Sequence, residues 1–286
     1  MKNNIVWLAS YPKSGNTWFR TFLSTILNEK KSEPDINDLQ STPIASARGI
    51  FEDHVECESS DLSSDEVESL RPDVYREISD NLEDKFYMKV HDAYTKTKES
   101  EWLFPPEATF GVIYLVRNPL DVAVSFANHN SGSIDKTVDN LCNNDFALCK
   151  HKKSFSNQLL QRHLTWSGHV LSWIDSPNKV CVLRYEDMKL DSLRTFKKAC
   201  DFLNLDKSDK EIAQAIEKTS FDKLRKQEEE KSFNEKPQKC KFFFRKGKIG
   251  SWREKLKNHH VDKLISCHYD VMKRFGYLDK NDKLVF

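Results

Sequence analysis

Four short apolar runs, rich in β-branched and aromatic residues, constrain the fold of this chain more than any other feature. They are Ile5–Ala9, Phe86–Val90, Phe110–Val116 and Val180–Tyr185. Each run is too short for a helix, and continuous apolarity is typical of strands that are buried on both faces of a parallel sheet. The sequence therefore predicts four strands of such a sheet.

Segments with helical spacing of apolar residues lie between and after these runs. They are Thr17–Leu27, Asp121–Asn128, Gln158–Ile174, Leu193–Leu203, Lys210–Lys218 and Val261–Phe275. Alternation of strand and helix is typical of α/β proteins, in which helices flank a central sheet. Because 286 residues are enough for one large core, we predict a single three-layer α/β domain over residues 1–286.

Two stretches interrupt the alternation. Residues 52–84 carry many acids and few bases, which predicts a solvated helical excursion from the sheet. Residues 129–153 mix Asn, Ser, Gly, Lys and Asp with little periodicity, which predicts a long mobile connection. Connections of that length are often lids or binding loops.

Charge and cysteine content exclude several classes of protein. Lys plus Arg (45) balances Asp plus Glu (44), and the net charge of +1 gives no reason to expect nucleic-acid or membrane binding. The seven cysteines are scattered without a C-x-x-C pair, which indicates neither a disulfide framework nor a zinc site. The first apolar run is too short for a signal sequence or membrane span, so we expect a cytoplasmic protein.

The first predicted strand runs directly into the segment from Tyr11 to Trp18, and a helical pattern follows at once. Exposed backbone N–H groups and the positive end of the helix dipole make such a junction an anion site. Gly15 allows close approach of the backbone, and Lys13 adds a mobile positive charge. In the Walker A motif the lysine follows the last glycine, whereas here it precedes Gly15, which disfavours an ordinary kinase or NTPase.

The segment Tyr11-Pro12-Lys13-Ser14-Gly15-Asn16-Thr17-Trp18 resembles the 5′-phosphosulfate loop of the cytosolic sulfotransferases. Further blocks follow in the family's order. Arg117 to Ser125 is similar to its 3′-phosphate motif, Phe244 to Trp252 to its R-K-G-x-x-G-D-W element, and Tyr185–Met188 and Lys218–Phe221 to two other landmarks. The resemblance implies transfer of a sulfuryl group from 3′-phosphoadenosine-5′-phosphosulfate (PAPS) to a hydroxyl or amine of a small molecule. The product would be 3′,5′-bisphosphoadenosine (PAP), and no metal is required.

The resemblance also implies which residues bind the nucleotide. Arg117 and Ser125 would hold the 3′-phosphate, the basic loop after Phe244 would close over it, and Trp18 and Phe221 would stack on the adenine. The predicted nucleotide-binding residues are Lys13, Ser14, Gly15, Asn16, Thr17, Trp18, Arg117, Ser125, Tyr185, Thr219, Phe221, Phe244, Arg245, Lys246 and Gly247.

The catalytic residues implied by the resemblance are His91, Lys13 and Lys89. Lys89-Val90-His91 follows the second strand and resembles the family's K-x-H segment. A histidine near neutral pKa can take the acceptor proton, while Lys13 stabilises the leaving bisphosphate and Lys89 assists. Two departures bear on this assignment: Asp92-Ala93 stands where the family has Leu-Pro, and Ser251 stands where it has Asp.

Two other classes of function remain open. One is a nucleotide kinase or other phosphoryl transferase, which would need Mg²⁺ and a carboxylate at a strand end to hold it. The other is a catalytically silent nucleotide-binding module, although such a module would not require His91 and the two lysines. The acids Glu52, Asp53, Glu56 and Glu58 favour a polar or cationic acceptor. The family's dimer motif survives only weakly near residues 257–261, so no oligomeric state is predicted.

Overall fold

The four predicted strands form one sheet. They are β1 (Ile5–Ser10), β2 (Phe86–Val90), β3 (Thr109–Val116) and β6 (Val180–Arg184). The spatial order is β2-β1-β3-β6, and β1 pairs with β2 in parallel with Ile5 opposite Phe86. All six residues of β1 are buried, as the continuous apolar pattern predicts. The α/β fold class, a parallel sheet flanked by helices, is confirmed.

Eleven α-helices lie in the described part of the chain, which in this computed structural model comprises residues 2–28, 33–39, 41–150 and 156–286. Five of the six predicted helices are present with ends shifted by at most a few residues. The helices are α1 (Asn16–Leu27), α2 (Arg48–Glu52), α3 (Ser64–Asn81), α4 (Pro119–His129), α5 (Ile134–Leu141), α6 (Trp166–Ile174), α7 (Tyr185–Leu190), α8 (Ser192–Phe202), α9 (Asp209–Lys218), α10 (Phe221–Lys231) and α11 (Asn258–Arg274).

The sixth predicted helix, Gln158–Ile174, is wrong over its first half. Residues Gln161–Arg162 form the short strand β5, which pairs with β4 (Ala147–Leu148) in antiparallel orientation. Helix α6 begins only after Thr165, whose side chain accepts a hydrogen bond from the N–H of Gly168. The backbone before it is extended because it bonds to distant segments, for example Leu159 N–H to Ser46 O at 2.7 Å. Such long-range pairing overrides local helical spacing.

The prediction of a long connection over residues 129–153 is wrong in its middle. Helix α5 lies there, begins after the capping hydroxyl of Ser133, and buries Val138 and Leu141. With only eight residues, the helix shows too few apolar positions for a clear period. The last predicted residues, 151–153, lie outside the described part of the chain.

The acidic stretch over residues 52–84 is helical, as predicted, but it is not simply solvated. Helix α3 begins with a reciprocal capping box between Ser63 and Glu66 and buries one face that includes Val74, Tyr75 and Ile78. Tyr75 packs edge-on against the buried indole of Trp7, with ring centroids 5.1 Å apart. Most of its acids are exposed, but Glu68 is buried and forms an ion pair with Arg162, so composition alone predicts only the solvated part of this helix.

The chain divides into two compact units, each built from three separate stretches. The first comprises residues 1–11, 42–114 and 144–182, and the second residues 12–41, 115–143 and 183–286. Since neither unit is a continuous piece of chain, a single domain over residues 1–286 stays a prediction. Among the described residues, no helix combines the length and apolarity needed to cross a bilayer.

Asp92, which departs from the family pattern, is a structural anchor of the first unit. Its carboxylate accepts a hydrogen bond from Arg71 at 2.8 Å, and both side chains are 1% exposed. Its carbonyl accepts the indole N–H of Trp173 at 2.9 Å. Removing one partner of such a buried pair leaves an uncompensated charge and typically costs about 3–5 kcal/mol. The turn directly after His91 is therefore fixed by a charge pair.

Candidate functional site

The loop after β1 forms a concave arrangement of backbone N–H groups, which we call the cradle. Lys13 and Gly15 both have positive φ values, 72° and 101°. A Cβ on Gly15 would lie 2.8 Å from the ring of Tyr185, so only glycine fits there. Alternation of right-handed and left-handed backbone turns successive N–H groups into one concave, anion-binding surface. Lys13 adopts this conformation despite its Cβ, which costs about 1–2 kcal/mol.

Helix α1 begins at this loop without a side-chain cap. Gly15 is its N-cap, and the first turn contains no acidic residue. The hydroxyl of Ser14 is buried, and among the described residues it has no hydrogen-bond partner. Asn16 and Thr17 are buried in the same turn. Uncapped N–H groups together with a buried hydroxyl fit a ligand with several anionic oxygens, such as the phosphosulfate end of PAPS.

The ammonium of Lys13 is held by two side chains that the sequence did not identify. Its Nζ lies 3.2 Å from Nδ1 of His129, at the end of α4, and 3.7 Å from the ring centroid of Phe243. The imidazole can accept a hydrogen bond from the ammonium, and the ring face attracts it electrostatically. The position of this lysine therefore depends on α4 and on the segment that carries Phe243.

Arg117, at the end of β3, is 7% exposed and points into the same loop. It donates to the carbonyls of Lys13 and Lys248, each at 3.2 Å, and its guanidinium carbon lies 4.2 Å from the ring centroid of Tyr185. Its Nε is buried and has no partner among the described residues. A buried guanidinium with a free donor suits a phosphate oxygen. Ser125, predicted to act with it, lies half-buried on α4.

Asp121 does not chiefly serve as a salt-bridge partner of Arg117, from which it lies 3.7 Å away. Its carboxylate accepts hydrogen bonds from Gly250 N–H at 2.8 Å, Ser251 Oγ at 2.9 Å and Trp252 N–H at 3.1 Å. Ser251 therefore anchors its loop by donating to an acid, which a second carboxylate at this position could not do. Sequence reasoning missed Asp121 because its partners lie about 130 residues away.

Two further charges fix the segment from residue 232 to 250, which we call the closing loop. The buried carboxylate of Glu228 accepts the N–H groups of Phe243 and Phe244 at 2.7 and 2.8 Å. Arg20, on α1, donates to both carboxylate oxygens of Glu235 at 2.8 and 3.0 Å. The basic residues Arg245 and Lys246 are thus presented by a backbone that is tied at both ends.

The predicted aromatic residues lie together in the second unit. Trp18, Phe221 and Phe243 pack against a buried cluster that contains Phe244. A Cβ on Gly247 would lie 2.3 Å from the ring of Phe221, so the closing loop passes directly over that ring. Thr219 is fully buried, and its hydroxyl donates to the carbonyl of Ala215 at 2.8 Å. The Thr219 hydroxyl is therefore engaged in ending α9.

Of the remaining basic residues of the closing loop, Lys246 forms an ion pair with Glu254. Burial and the nearby guanidinium of Arg117 lower the pKa of Arg245. Two guanidinium groups this close repel each other, and an anion bound between them would offset that repulsion.

His91 is held in the first unit by the end of β1. Its Nδ1 lies 2.9 Å from the carbonyl oxygen of Ser10, which can only accept, so the ring proton is on Nδ1 and the lone pair on Nε2. Burial lowers the pKa of His91 well below 6.5, and the charge of Lys89 and the nearby rings of His163 and His169 lower it further. His91 is therefore neutral at pH 7, as a general base must be.

A second histidine holds the backbone of His91. The Nε2 of His169 lies 3.0 Å from the carbonyl of His91, and its Nδ1 lies 2.8 Å from the hydroxyl of Tyr114. Because the carbonyl can only accept, Nε2 of His169 carries the proton and Nδ1 accepts from Tyr114. These two bonds engage both ring nitrogens of His169.

The predicted site residues thus fall into two groups, one in each compact unit. His91 and Lys89 belong to the first unit, and the nucleotide-binding residues belong to the second. One of the acids that favour a polar or cationic acceptor already has partners within the protein. Glu52 accepts the N–H of Ser59 at 3.0 Å and lies 4.0 Å from Arg48. Trp166 and Trp173 are fully buried core residues.

One group of side chains in the described residues has the spacing of a metal site: Asp135, His259 and His260. Nδ1 of His260 accepts the N–H of Lys257 at 3.1 Å, so its Nε2 carries the proton and donates to Asp135 at 2.9 Å. A metal ion would have to displace that proton and break the helix cap. The group is therefore satisfied without an ion.

Comparison with known proteins shows the family of this chain. The family model for the sulfotransferase domain matches residues 3–276. Flavonol 3-sulfotransferase of Flaveria bidentis is 26% identical over 92% of this chain and 78% of its own length. Cytosolic sulfotransferase 15 of Arabidopsis thaliana is 28% identical, covering 96% and 74%, and sulfotransferase 1E1 of Mus musculus 26% identical, covering 91% and 83%.

Solved structures show the same fold. Mouse sulfotransferase SULT7A1 complexed with PAP superposes with a TM-score of 0.60 at 20% identity over 96% of this chain and 86% of that one. Retinol dehydratase in complex with androsterone and PAP gives 0.59 at 21% identity over 96% and 82%. The chain belongs to the sulfotransferase family. It is an enzyme that transfers a sulfuryl group from PAPS.

We predict that replacement of Asp121 by Ala loosens the closing loop and weakens PAP binding. Three donors of residues 250–252 lose their acceptor, and each buried unsatisfied donor costs about 1–3 kcal/mol. Amide hydrogen exchange of residues 248–253 should accelerate at least about tenfold, and PAP affinity measured by calorimetry should fall about tenfold. Asp139→Ala, which removes an exposed carboxylate, is the matched control. Weaker PAP binding with unchanged exchange would contradict this role.

Proposed function

We propose that the second unit binds both anionic ends of PAPS and that His91 removes the acceptor proton. PAPS supplies the sulfuryl group, and the bond that breaks joins its sulfur to the 5′-phosphate oxygen. The loop N–H groups and Ser14 hold the phosphosulfate end, while Arg117 and Arg245 hold the 3′-phosphate. The observation that carries this assignment is the uncapped start of α1 after Gly15, where the buried hydroxyl of Ser14 and the buried Nε of Arg117 have no partner among the described residues.

The protein residues then have separate tasks in the transfer. Nε2 of His91 accepts the proton of the attacking hydroxyl or amine, because its Nδ1 proton is committed to the carbonyl of Ser10. The ammonium of Lys13 stabilises the negative charge that develops on the leaving phosphate oxygen. Lys89 keeps the pKa of His91 low, so that the base is neutral before the reaction. No metal is needed for these steps. The relative cytosolic sulfotransferase 15 supports a cytoplasmic location for this enzyme as well.

Calorimetric titration with PAP, AMP and ATP–Mg²⁺ tests the nucleotide assignment. We expect PAP to bind more tightly than either control, since only PAP places phosphates at both anion sites. Arg117→Ala should weaken PAP by more than ~1.5 kcal/mol, the lower range for a hydrogen bond to a charged group, and should change AMP binding much less. His91→Ala should bind PAP within a few fold of the wild type. A preference for ATP–Mg²⁺ would instead support a phosphoryl transferase.

The pH dependence of turnover tests the base. The rate requires neutral His91, so it should fall only when the pH drops through the lowered pKa, which lies below 6.5. In Lys89→Met the nearby positive charge is gone, the pKa of His91 rises, and the acidic limb of kcat should move to higher pH. His91→Gln should lose nearly all turnover. A limb that stays in place in Lys89→Met would contradict the electrostatic role of Lys89.

We propose further that the acceptor carries hydrogen-bond donors in addition to the group that is sulfated. Nδ1 of His163 lies 2.9 Å from the carbonyl of Gln161, so its buried Nε2 is a lone-pair acceptor. Neither this Nε2 nor the buried Oε1 of Gln161 has a partner among the described residues. Burial lowers the pKa of His163 to about 4, which keeps it neutral. The ring centroid of His163 lies 6.2 Å from that of His169, whose Nε2 donates to the carbonyl of His91, so these acceptors lie near the base.

An acceptor screen with PAPS tests this proposal when each hydroxylated or amino compound is paired with an analogue that lacks the second donor. We expect kcat/KM to be about tenfold higher for the compound with the additional donor, the worth of one hydrogen bond. In His163→Phe that advantage should disappear, while the analogue is turned over as before. Equal kcat/KM for both members of every pair would overturn the proposal.

A further inference from the structure

Lys189 lies against both aromatic rings that are assigned to the adenine. Its Nζ is 5.2 Å from the ring centroid of Trp18 and 5.4 Å from that of Phe221. No sequence motif pointed to this residue. Because the ammonium lies this close to both ring centroids, a flat ligand that stacks on these rings lies near it.

Helix α7 explains how the lysine reaches this position. Tyr185 and Lys189 are four residues apart and therefore lie on one face of the helix. Tyr185 packs against Gly15 and under the guanidinium of Arg117. The same helix face thus contacts the phosphate cradle with its first residue and the aromatic pair with its fifth.

The hydrogen-bond donors and the charge of the Lys189 ammonium determine which ligands can lie against these rings. A lysine ammonium has three N–H donors and no acceptor, and ring faces attract its charge without accepting conventional hydrogen bonds. Burial lowers the pKa of Lys189, and the carboxylate of Asp222 opposes that shift. A ligand with lone pairs in the plane of its ring would give the partly desolvated donors a partner, whereas a cationic ring would be repelled.

We propose that Lys189 donates a hydrogen bond to a ring nitrogen of the adenine of PAPS and PAP, and so contributes to the choice of base. The proposal rests on the proposed function, because it takes Trp18 and Phe221 as the stacking rings. Adenine carries three ring nitrogens with in-plane lone pairs besides the one bonded to ribose. Lys189 is in this view a base-recognition residue on α7.

The test combines Lys189 variants with PAP analogues in which one ring nitrogen is replaced by C–H. We expect Lys189→Met to weaken PAP about tenfold, the effect of one hydrogen bond involving a charged group. One of the 1-deaza, 3-deaza and 7-deaza analogues should bind the wild type about tenfold more weakly than PAP. That analogue should bind Lys189→Met as well as PAP does, and Lys189→Gln, which retains a donor, should recover part of the loss.

The controls separate this proposal from the function on which it rests. Lys226→Met removes an exposed lysine of α10 and should bind PAP like the wild type. Unchanged or tighter PAP binding by Lys189→Met would overturn the proposal, because the lysine would then contribute no hydrogen bond to the base. Deaza penalties that are equal in the wild type and in Lys189→Met would overturn it too. Failure of the wild type to bind PAP would instead overturn the nucleotide assignment.

Discussion

The carboxylate of Asp121 is the contact on which the nucleotide site depends. It lies in the first turn of α4, close to Arg117, and it collects three donors from residues 250–252. The carbonyl of Lys248, two residues before this anchor, accepts from Arg117. Asp121 thus fixes the end of the closing loop, while the buried Nε of Arg117 has no partner among the described residues. Without that anchor, Arg245 and Lys246 would be an ordinary basic run at the surface.

A few contacts also fix the earlier part of the closing loop and the side chain of Lys13. Glu228 binds the backbone of Phe243 and Phe244, and the ring of Phe243 lies over the ammonium of Lys13. His129 contacts the same ammonium from α4. A shift of the closing loop would therefore move the ring of Phe243 and with it the ammonium of Lys13. Asp121 and Glu228 thus act chiefly by fixing backbone N–H groups of the closing loop.

Much of the fold could be predicted because its signals are local, and the same local signals led to the proposed nucleotide site. The continuous apolar run of β1 and the eight residues after it define strand, cradle and helix without any distant contact. Helix α5 was missed because its eight residues show too few apolar positions for a clear period. The other failures are long-range: Gln161–Arg162 is a strand because it pairs with Ala147–Leu148, and no period along the chain records that partner. Asp121, Glu228, His129 and Lys189 were missed for the same reason. Each is an unremarkable surface-type residue in sequence, and its role comes from partners on other elements.

His91, the proposed base, illustrates how the surroundings of a side chain determine its chemistry. Among the described residues, the groups that shift the pKa of His91 are burial, Lys89, two histidines and the carbonyl of Ser10. A carboxylate partner would raise the pKa and hold the ring cationic, which would disable it as a base near neutral pH. The carbonyl fixes the tautomer without adding a full charge, so the lone pair points away from Ser10 while the ring stays neutral. Ser10 is also the last residue of β1, and Lys13 follows three residues later. One strand end therefore fixes the tautomer of the proposed base and leads into the loop that carries Lys13.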